Sequence, residues 1–542
     1  MGGEKETEEN SGHPTFPNVA SLPPQPTDDA TGELAKTTAT SGQQNVRSST
    51  DGTEAPDPNE VDWDGPDDPH NPRNWPVWRR AMVVGLITAV VFSTNIAAVA
   101  IAPAIPLVMA EFGSKNQELG ILAVTIELLG TGVGPVFMAP MSELFGRRAT
   151  YNCANLAFCG FTIGCALAPN LPGLIVLRFL QGCAASCNLN NAGGTIADLV
   201  STRHRGFAMS MYSAGFMLSP VIGPLVGSYL SAAAGWRWVF WLLSILSGTL
   251  GIICAVTYGE TYGPVLLERK AKKLRKSTGN PALYAKGQRK LSPAALFKRA
   301  TSRPFKILFF CPVVTGLAVY NAVVYGTTYL LLSTFSDVFQ TQYHYNQSNL
   351  GLTYIGLTLG FLFSLIFASI TNDKSYARLA KKHGVGKPEY VEHQHPFSVS
   401  LEMISSANNV NRYRLEPLIY GAIAIPVGLF MYGWTTEARV HSAVPIFSTA
   451  IIGFGVMFTF IPFNVYMIDA YMEYAASAIA AGNILRSMTA SLLPLTAIPL
   501  YDRLGYGWGN SVLAFISLGL GAMAILYRKY GEQWRERFRI DL

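Results

Sequence analysis

Twelve long apolar segments constrain this chain more than any other feature of its sequence. Each is long enough to cross the roughly 30 Å hydrocarbon layer of a bilayer as a helix of about 20 residues. None has the broad polar stripe typical of a helix on a soluble protein. Because a spanning segment must satisfy its own backbone hydrogen bonds in lipid, we predict an all-α polytopic membrane protein. The twelve spans are predicted near residues 81–109, 119–140, 149–168, 172–198, 206–230, 237–258, 305–336, 348–371, 415–434, 443–469, 475–500 and 508–528.

The distribution of charge agrees with a membrane protein that has an acidic tail. Charged residues make up only 14% of the chain, against about 25% in soluble domains. The first 75 residues carry 15 Asp and Glu but only 4 Lys and Arg. This stretch is also poor in aliphatic residues, so it buries too little apolar surface to offset the entropy of ordering. We predict that residues 1–75 form a disordered cytosolic tail.

The positions of Lys and Arg predict the orientation and the domain layout. Basic residues cluster before span one and after spans two, four, six, eight and twelve. The positive-inside bias then predicts that both termini are cytosolic. The plasma membrane is the expected location, with the vacuole or another internal membrane as the alternative. The predicted parts are an N-terminal six-helix bundle at 76–258, a basic central loop at 259–304, a C-terminal six-helix bundle at 305–528 with a cytosolic loop at 372–414, and a basic tail at 529–542.

A compact cluster of charge interrupts the apolar sequence between spans two and three, in the stretch GPVFMAPMSELFGRRAT. Gly146 permits the backbone angles of a tight reversal. Glu143 can lie against the positive N-terminal end of a neighbouring helix. Arg147 or Arg148 can reach Asp198 at the cytosolic end of span four. The cluster is either a latch that must open during a conformational cycle or a plain positive-inside anchor.

Ionisable residues within the spans are the best mechanistic candidates, because each is costly in lipid and usually faces a cavity or a partner. Glu127 lies deepest among the acids, roughly 12 Å along its helix from Leu119 at about 1.5 Å per residue. Burial favours the protonated form of a carboxyl group, so Glu127 is a candidate proton carrier. A hydrogen-bonded structural glutamate is the alternative. Arg178 in span four is the second candidate, as a fixed charge or as part of a structural ion pair.

Polar and aromatic residues within the spans predict a central cavity for flat or hydrophobic organic molecules. Aromatic walls also suit amines through cation–π contacts. For Arg486, a hydrogen-bonding role inside the bundle is favoured over direct substrate contact. The candidate cavity residues are Asn95, Asn188, Asn191, Tyr320, Asn321, Tyr325, Tyr329, Asn464, Asn483 and Arg486.

Two loop features remain open from the sequence. Asn346-Gln347-Ser348 is a glycosylation sequon in the short external loop between spans seven and eight. Residues 390–412 separate Pro388-Glu389 from Tyr413-Arg414-Leu415 and differ in composition from the basic residues around them. They are either a true loop insertion or the product of a retained intron, and a transcript read across the segment distinguishes the two.

Several motifs in order along the chain resemble the major facilitator superfamily, in the form of its fungal twelve-helix drug:proton antiporters. They are DPHNPRNWPVWRR, GPVFMAPMSELFGRR, LRFLQG, GWRWVFW, GETYGPVLLERKAKKLRKSTGN and AASAIAAGNILRS. The resemblance implies two six-helix bundles, a proton-transmitting role for Arg178, and an antiporter motif in span five. That motif comprises Gly215, Gly223, Pro224 and Gly227, although Ser219 and Ser228 stand where the family prefers glycine.

The resulting functional prediction is a proton-coupled exporter of hydrophobic or amphipathic small molecules, such as drugs, toxins or secondary metabolites. A polyamine or organic-solute carrier working as a symporter or facilitator is the first alternative, and a non-transporting membrane sensor is the second. We predict no enzyme activity, because the chain has no P-loop, metal-ligand spacing or nucleophile elbow. The expected partners are the substrate, protons and membrane lipids, without nucleic acid, cofactor or metal, and the protein is expected to be monomeric.

Overall fold

Helices dominate the computed structural model, which describes residues 59–65, 67–200, 202–286, 293–367, 415, 417–471 and 475–537. Two short strands are β1 (Glu60–Val61) and β2 (Tyr284–Ala285). The helices before the central loop are α1 (Val77–Ala100), α2 (Ile105–Glu111), α3 (Gln117–Val133), α4 (Pro135–Phe145), α5 (Arg147–Ala166), α6 (Leu171–Leu199), α7 (Thr202–Ala234) and α8 (Arg237–Thr257). Those that follow are α9 (Gly263–Thr278), α10 (Pro293–Phe310), α11 (Pro312–Tyr343), α12 (355–367), α13 (Leu418–Glu437), α14 (Ala443–Tyr471), α15 (Ala475–Leu492) and α16 (Ala497–Arg537).

The helices follow the predicted spans in order. Among the described residues, seven helical segments are long and apolar enough to cross a membrane, and the bent pair α3 and α4 makes an eighth. That pair bends by 44°, at the junction where Pro135 begins α4. The other four predicted spans correspond to α5, α6, α15 and α16. In α6, for example, the polar side chains of Arg178, Gln181 and Asn188 are buried inside the protein rather than facing lipid.

The seventh span begins later than predicted. The apolar pattern predicts a start at residue 305, but residues 305–310 belong to α10 and the spanning helix is α11. Cys311 has an extended backbone, and Pro312 occupies the first turn of α11. Proline fits there because that position has no intrahelical partner for an N–H group. The apolar run crosses this break without interruption, so hydropathy alone extends the helix too far.

The end of the predicted tail is ordered against the central loop. Strands β1 and β2 pair in parallel, with Val61 opposite Ala285. Val61 packs with Leu267 of α9 in a small apolar cluster. The Lys286 ammonium, 2.5 Å from a carboxylate oxygen of Asp62, lowers the pKa of Asp62. The predicted tail boundary at residue 75 is therefore too late, while residues 1–58 lie outside the described part of the chain.

Small residues of α7 lie directly against α1. A Cβ atom on Gly227 would lie 1.9 Å from the carbonyl oxygen of Ala100, and one on Gly223 would lie 2.8 Å from Cγ2 of Val99. Gly215 meets Thr88 in the same way, and Pro224 lies inside the helix. The three glycines therefore allow α7 to approach α1 closely, because only a hydrogen atom fits at each of them.

We expect Gly227→Ala to lower the free energy of unfolding by about 3 kcal/mol, since the added methyl group must displace backbone rather than a flexible side chain. Thermal unfolding of the purified protein in detergent measures the change. Gly160→Ala in α5 is the matched control, because a Cβ atom added at Gly160 would meet no other described atom within 4 Å. An equal loss of stability in both variants would contradict the packing argument.

Candidate functional site

A central cavity of about 420 Å³ lies between the helices of the two halves. This volume is within the usual range for small-molecule sites, about 300–1,000 Å³. Helices α1, α3, α6 and α7 of the first half and α11, α14 and α15 of the second half line it. The described lining residues are Thr94, Asn95, Ala98, Glu127, Leu128, Thr131, Ala185, Leu189, Asn190, Gly193, Met209, Tyr212, Ser213, Tyr325, Phe460, Ile461, Asn464, Val465, Ile479, Asn483, Arg486 and Ser487.

The cavity lies toward the end of the molecule at which α6 ends and α7 begins, since Gly193 and Met209 line it. At the opposite end, hydrogen bonds join the two halves. The side-chain amide of Gln347 donates to the carbonyl oxygen of Pro103 at 2.6 Å, and Ser228 Oγ donates to the carbonyl oxygen of Ser348 at 3.1 Å. Hydrogen bonds therefore hold the two halves together at the end of the molecule opposite to the α6–α7 junction.

Glu127 and Arg178 form a buried ion pair at the cavity wall. Nη1 of Arg178 contacts Oε2 of Glu127, and both side chains are buried. Neither carboxylate oxygen of Glu127 meets hydrogen-bond geometry with a donor among the described residues. Arg178 is therefore the main stabilising partner of the Glu127 charge. The structure joins the two residues that the sequence identified separately.

Arg178 is held by many neutral acceptors besides Glu127. Its guanidinium donates to the backbone carbonyls of α1 and α3 and to a side-chain amide of its own helix. The acceptors are the carbonyl oxygens of Ala97 (2.9 Å), Ala98 (3.3 Å), Ala123 (3.1 Å) and Val124 (3.1 Å), and Oε1 of Gln181 (3.1 Å). Because these dipoles stabilise the cation independently, Arg178 retains acceptors when Glu127 is neutral.

Several predicted cavity residues lie elsewhere in the protein. Asn188 donates to Oδ1 of Asn155 at 2.9 Å, and Asn191 donates to Sγ of Cys187 at 3.3 Å. Their neighbour Asn190 lines the cavity instead, because one residue turns a side chain by about 100° around a helix of 3.6 residues per turn. Tyr320 and Asn321 are buried away from this cavity. Asn95, Asn464 and Asn483 do line it.

The aromatic part of the wall is built around Arg486. Its guanidinium lies 4.4 Å from the ring centroid of Tyr325 and 5.0 Å from that of Phe460. The rings of Tyr325 and Tyr329 are 5.0 Å apart, and Tyr329 lines a smaller adjoining cavity. The ring of Tyr325, proposed from the sequence as a contact for amines, thus already faces a cation from the protein itself.

The charged cluster after span two assembles around Arg147. Its Nε lies 3.4 Å from Oδ2 of Asp198, and its Nη1 donates to Oγ of Ser142 at 2.6 Å. The backbone N–H of Arg147 donates to Oε1 of Glu260 at 2.9 Å. Gly146 has a φ of 93° and would place a Cβ 2.2 Å from Oε2 of Glu260. Both geometry and space therefore require glycine at this position.

The other charges near this cluster have different positions. Arg148 donates to the carbonyl oxygen of Ala255 at 3.1 Å, so Arg147 is the arginine that reaches Asp198. Glu143 is half-buried in α4. Glu260 is not among the predicted site residues, although it lies in the GETYGP motif and also accepts the backbone N–H of Tyr262 at 3.0 Å. Its carboxylate lies at the start of α5, where the positive end of the helix stabilises a negative charge.

The remaining predictions concern a glycosylation site, a loop segment and the absence of a metal. Asn346 is exposed in the loop before the 3₁₀ helix Gln347–Tyr354, so its side chain is accessible for glycosylation. The segment 390–412 lies outside the described residues. Within the described part of the chain, no group of three or more His, Cys, Asp and Glu side chains is arranged to hold a metal ion.

A central cavity lined by both halves of a polytopic helical protein, with a charge pair buried in its wall, defines a membrane transporter. The family model of the Major Facilitator Superfamily matches residues 85–494, and the chain belongs to this family. The fold is accordingly that of a twelve-helix secondary transporter.

Curated relatives and solved structures agree with this assignment. The chain is 41% identical to "Efflux pump radE" of Floropilus chiversii over 488 residues, which is 90% of this chain and 87% of that protein. It is 42% identical to "MFS transporter prlG" of a fungal species over 498 residues, which is 91% of this chain and all of that protein. The crystal structure of a D-xylose-proton symporter matches with a TM-score of 0.58 and 16% identity, covering 83% of this chain and 96% of that one. The last similarity supports the fold alone.

Proposed function

We propose that this protein exports hydrophobic or amphipathic small molecules in exchange for protons, by alternating access. The cavity has apolar and aromatic walls with a few polar groups, the usual composition of a site for organic molecules. The name of the relative radE as an efflux pump supports the direction of transport.

The observation that carries the proton-coupling proposal is the position of Glu127. This carboxylate is buried at the cavity wall, and its ion pair is with an arginine that five neutral groups also hold. Glu127 can therefore change its protonation state while Arg178 stays stabilised in the bundle. Glu127 is fully buried. A small side-chain movement that brings cavity water to its carboxylate is therefore needed for the proton to exchange.

Alternating access requires contacts between the halves that form in one state and break in the other. The Gln347–Pro103 hydrogen bond is such a contact at the end predicted to be external. The Arg147–Asp198 pair, with Gly146 and the packing of α7 on α1, is proposed to guide rearrangement of the N-terminal half. Protonation and substrate occupancy then shift the equilibrium through their different affinities for the two states.

The proposed setting is the plasma membrane, with both termini in the cytosol and the protein working as a monomer. Membrane lipids surround the bundle, and the transported partners are protons and small organic molecules. A polyamine or organic-solute carrier working as a symporter or facilitator uses the same scaffold, so the direction of coupling has to be measured.

Transport by the purified protein in proteoliposomes tests the proposal, with counterflow and proton movement followed for lipophilic drugs, amines and fungal metabolites. With an imposed pH gradient, we expect a substrate without ionisable groups to accumulate on the acidic side, because protons moving down their gradient drive the substrate in the opposite direction. A symporter would accumulate it on the alkaline side, and a facilitator would accumulate it on neither. A protonophore is the control for the gradient. Absence of counterflow for the whole panel would favour a sensor and contradict the proposal.

A further inference from the structure

Arg486 faces the central cavity, and no acidic side chain among the described residues offsets its positive charge. Two of its nitrogens, Nε and Nη1, are buried without a hydrogen-bond partner among the described residues. The faces of Tyr325 and Phe460 stabilise the cation through the ring quadrupoles. A ring face is a much weaker acceptor of N–H groups than a carboxylate oxygen, so Nε and Nη1 remain available to a molecule in the cavity.

The charges around the cavity make this arginine distinctive. Glu127 is the one acidic side chain among the described lining residues, and its charge is offset by Arg178. No described acid pairs with Arg486, so the described wall is positive in sum when Glu127 is ionised. A bound amine would therefore meet like charge in a site of low dielectric constant, where such repulsion is strong.

We infer that Arg486 selects organic anions: the cavity takes amphipathic molecules whose carboxylate or ionised phenol binds the guanidinium, while an apolar body lies along the aliphatic and aromatic wall. This rests on the proposed function, because it names the substrate class of the proposed transport site. A carboxylate oxygen accepts charge-assisted hydrogen bonds from a guanidinium, which are about twice as strong as neutral ones. The apolar body contacts side chains such as Leu128, Ile461 and Val465.

A matched pair of fluorescent probes tests the inference: anthracene-2-carboxylate and its uncharged amide, anthracene-2-carboxamide. Their binding to the full-length protein in lipid nanodiscs is measured at pH 7.4 by fluorescence polarisation. We expect the wild-type protein to prefer the carboxylate by about tenfold or more, in line with the strength of a hydrogen bond to a charged group. Arg486→Gln should bring the ratio near one by weakening carboxylate binding, and Arg486→Lys should retain most of the preference.

The control is Asn483→Ala, which removes a neutral polar side chain one helical turn from Arg486 and should affect both probes equally. An unchanged carboxylate preference in Arg486→Gln, equal affinity of the wild-type protein for both probes, or no detectable binding of the carboxylate overturns the inference. In that case Arg486 has only a packing role, through its contacts with Tyr325 and Phe460.

Proton-driven flux of the uncharged amide in proteoliposomes separates this inference from the proposed function. Flux of the amide against a pH gradient, without carboxylate preference, contradicts the role of Arg486 and leaves the exporter proposal standing. Preferential binding of the carboxylate, with no pH-driven movement of either probe above that in protein-free liposomes, supports the role of Arg486 and contradicts proton-coupled transport.

Discussion

Glu127→Gln is expected to abolish pH-driven transport and to leave substrate counterflow within about threefold of the wild-type rate, because glutamine reproduces the shape and charge of the protonated carboxyl group. The variant cannot release a proton, so the pH gradient no longer biases the two states. In this variant the buried Arg178 guanidinium still donates to the surrounding carbonyl oxygens. Substrate-driven exchange needs only the conformational change, which this variant retains.

Proteoliposomes provide both measurements on one preparation: accumulation under an imposed pH gradient, and counterflow at equal pH on both sides. Glu118→Gln is the matched control, because Glu118 lies on the same helix but is exposed at its first turn. It should retain full pH-driven accumulation. If Glu127→Gln also retained it, the proton-carrier assignment would be wrong, although the fold would stand.

The cost of burial in lipid identified Glu127 and Arg178 from the sequence, but it did not pair them. The pairing depends on how closely α3 and α6 cross. A Cβ on Gly182 would lie 2.0 Å from the carbonyl oxygen of Glu127, so the absence of a side chain there brings the two helices together. Such a contact joins residues of different helices, whereas hydropathy evaluates each helix by itself. Individual charges were therefore predictable and their partnership was not.

Residues on the cavity wall were predicted with less success for two reasons. A helix turns by about 100° per residue, so a choice between Asn190 and Asn191 needs the rotation of α6 within the bundle. Tyr212 and Phe460 carry no sequence signal that separates a cavity wall from a packed core. The pairing of β1 with β2 was missed for a related reason, since the paired residues lie far apart in the chain and each strand has only two residues.

Arg178→Met is expected to have the largest effect on stability, lowering the free energy of unfolding by about 3–5 kcal/mol because it leaves a buried carboxylate without its partner. It also removes four hydrogen bonds that tie α6 to α1 and α3, and a fifth to Gln181 within α6. Glu127→Gln should cost less, since the remaining cation keeps those acceptors.

The double variant Glu127→Gln with Arg178→Met tests whether the unpaired charge causes the damage. We expect it to be more stable than Arg178→Met alone at neutral pH, and the difference to shrink at acidic pH as Glu127 in the single variant becomes protonated. Apparent melting temperature and the monodisperse fraction in detergent report these differences across pH.

Arg148→Met is the matched control, because this exposed arginine also donates to a backbone carbonyl, that of Ala255, and its loss should cost no more than about 1 kcal/mol. Equal stability of Arg178→Met and Arg148→Met would mean that the ion pair does not organise the bundle. If Glu127→Gln lowered stability more than Arg178→Met, the carbonyl oxygens around Arg178 would not be sufficient to stabilise its charge. The proposal that Glu127 exchanges a proton while Arg178 stays charged would then be wrong.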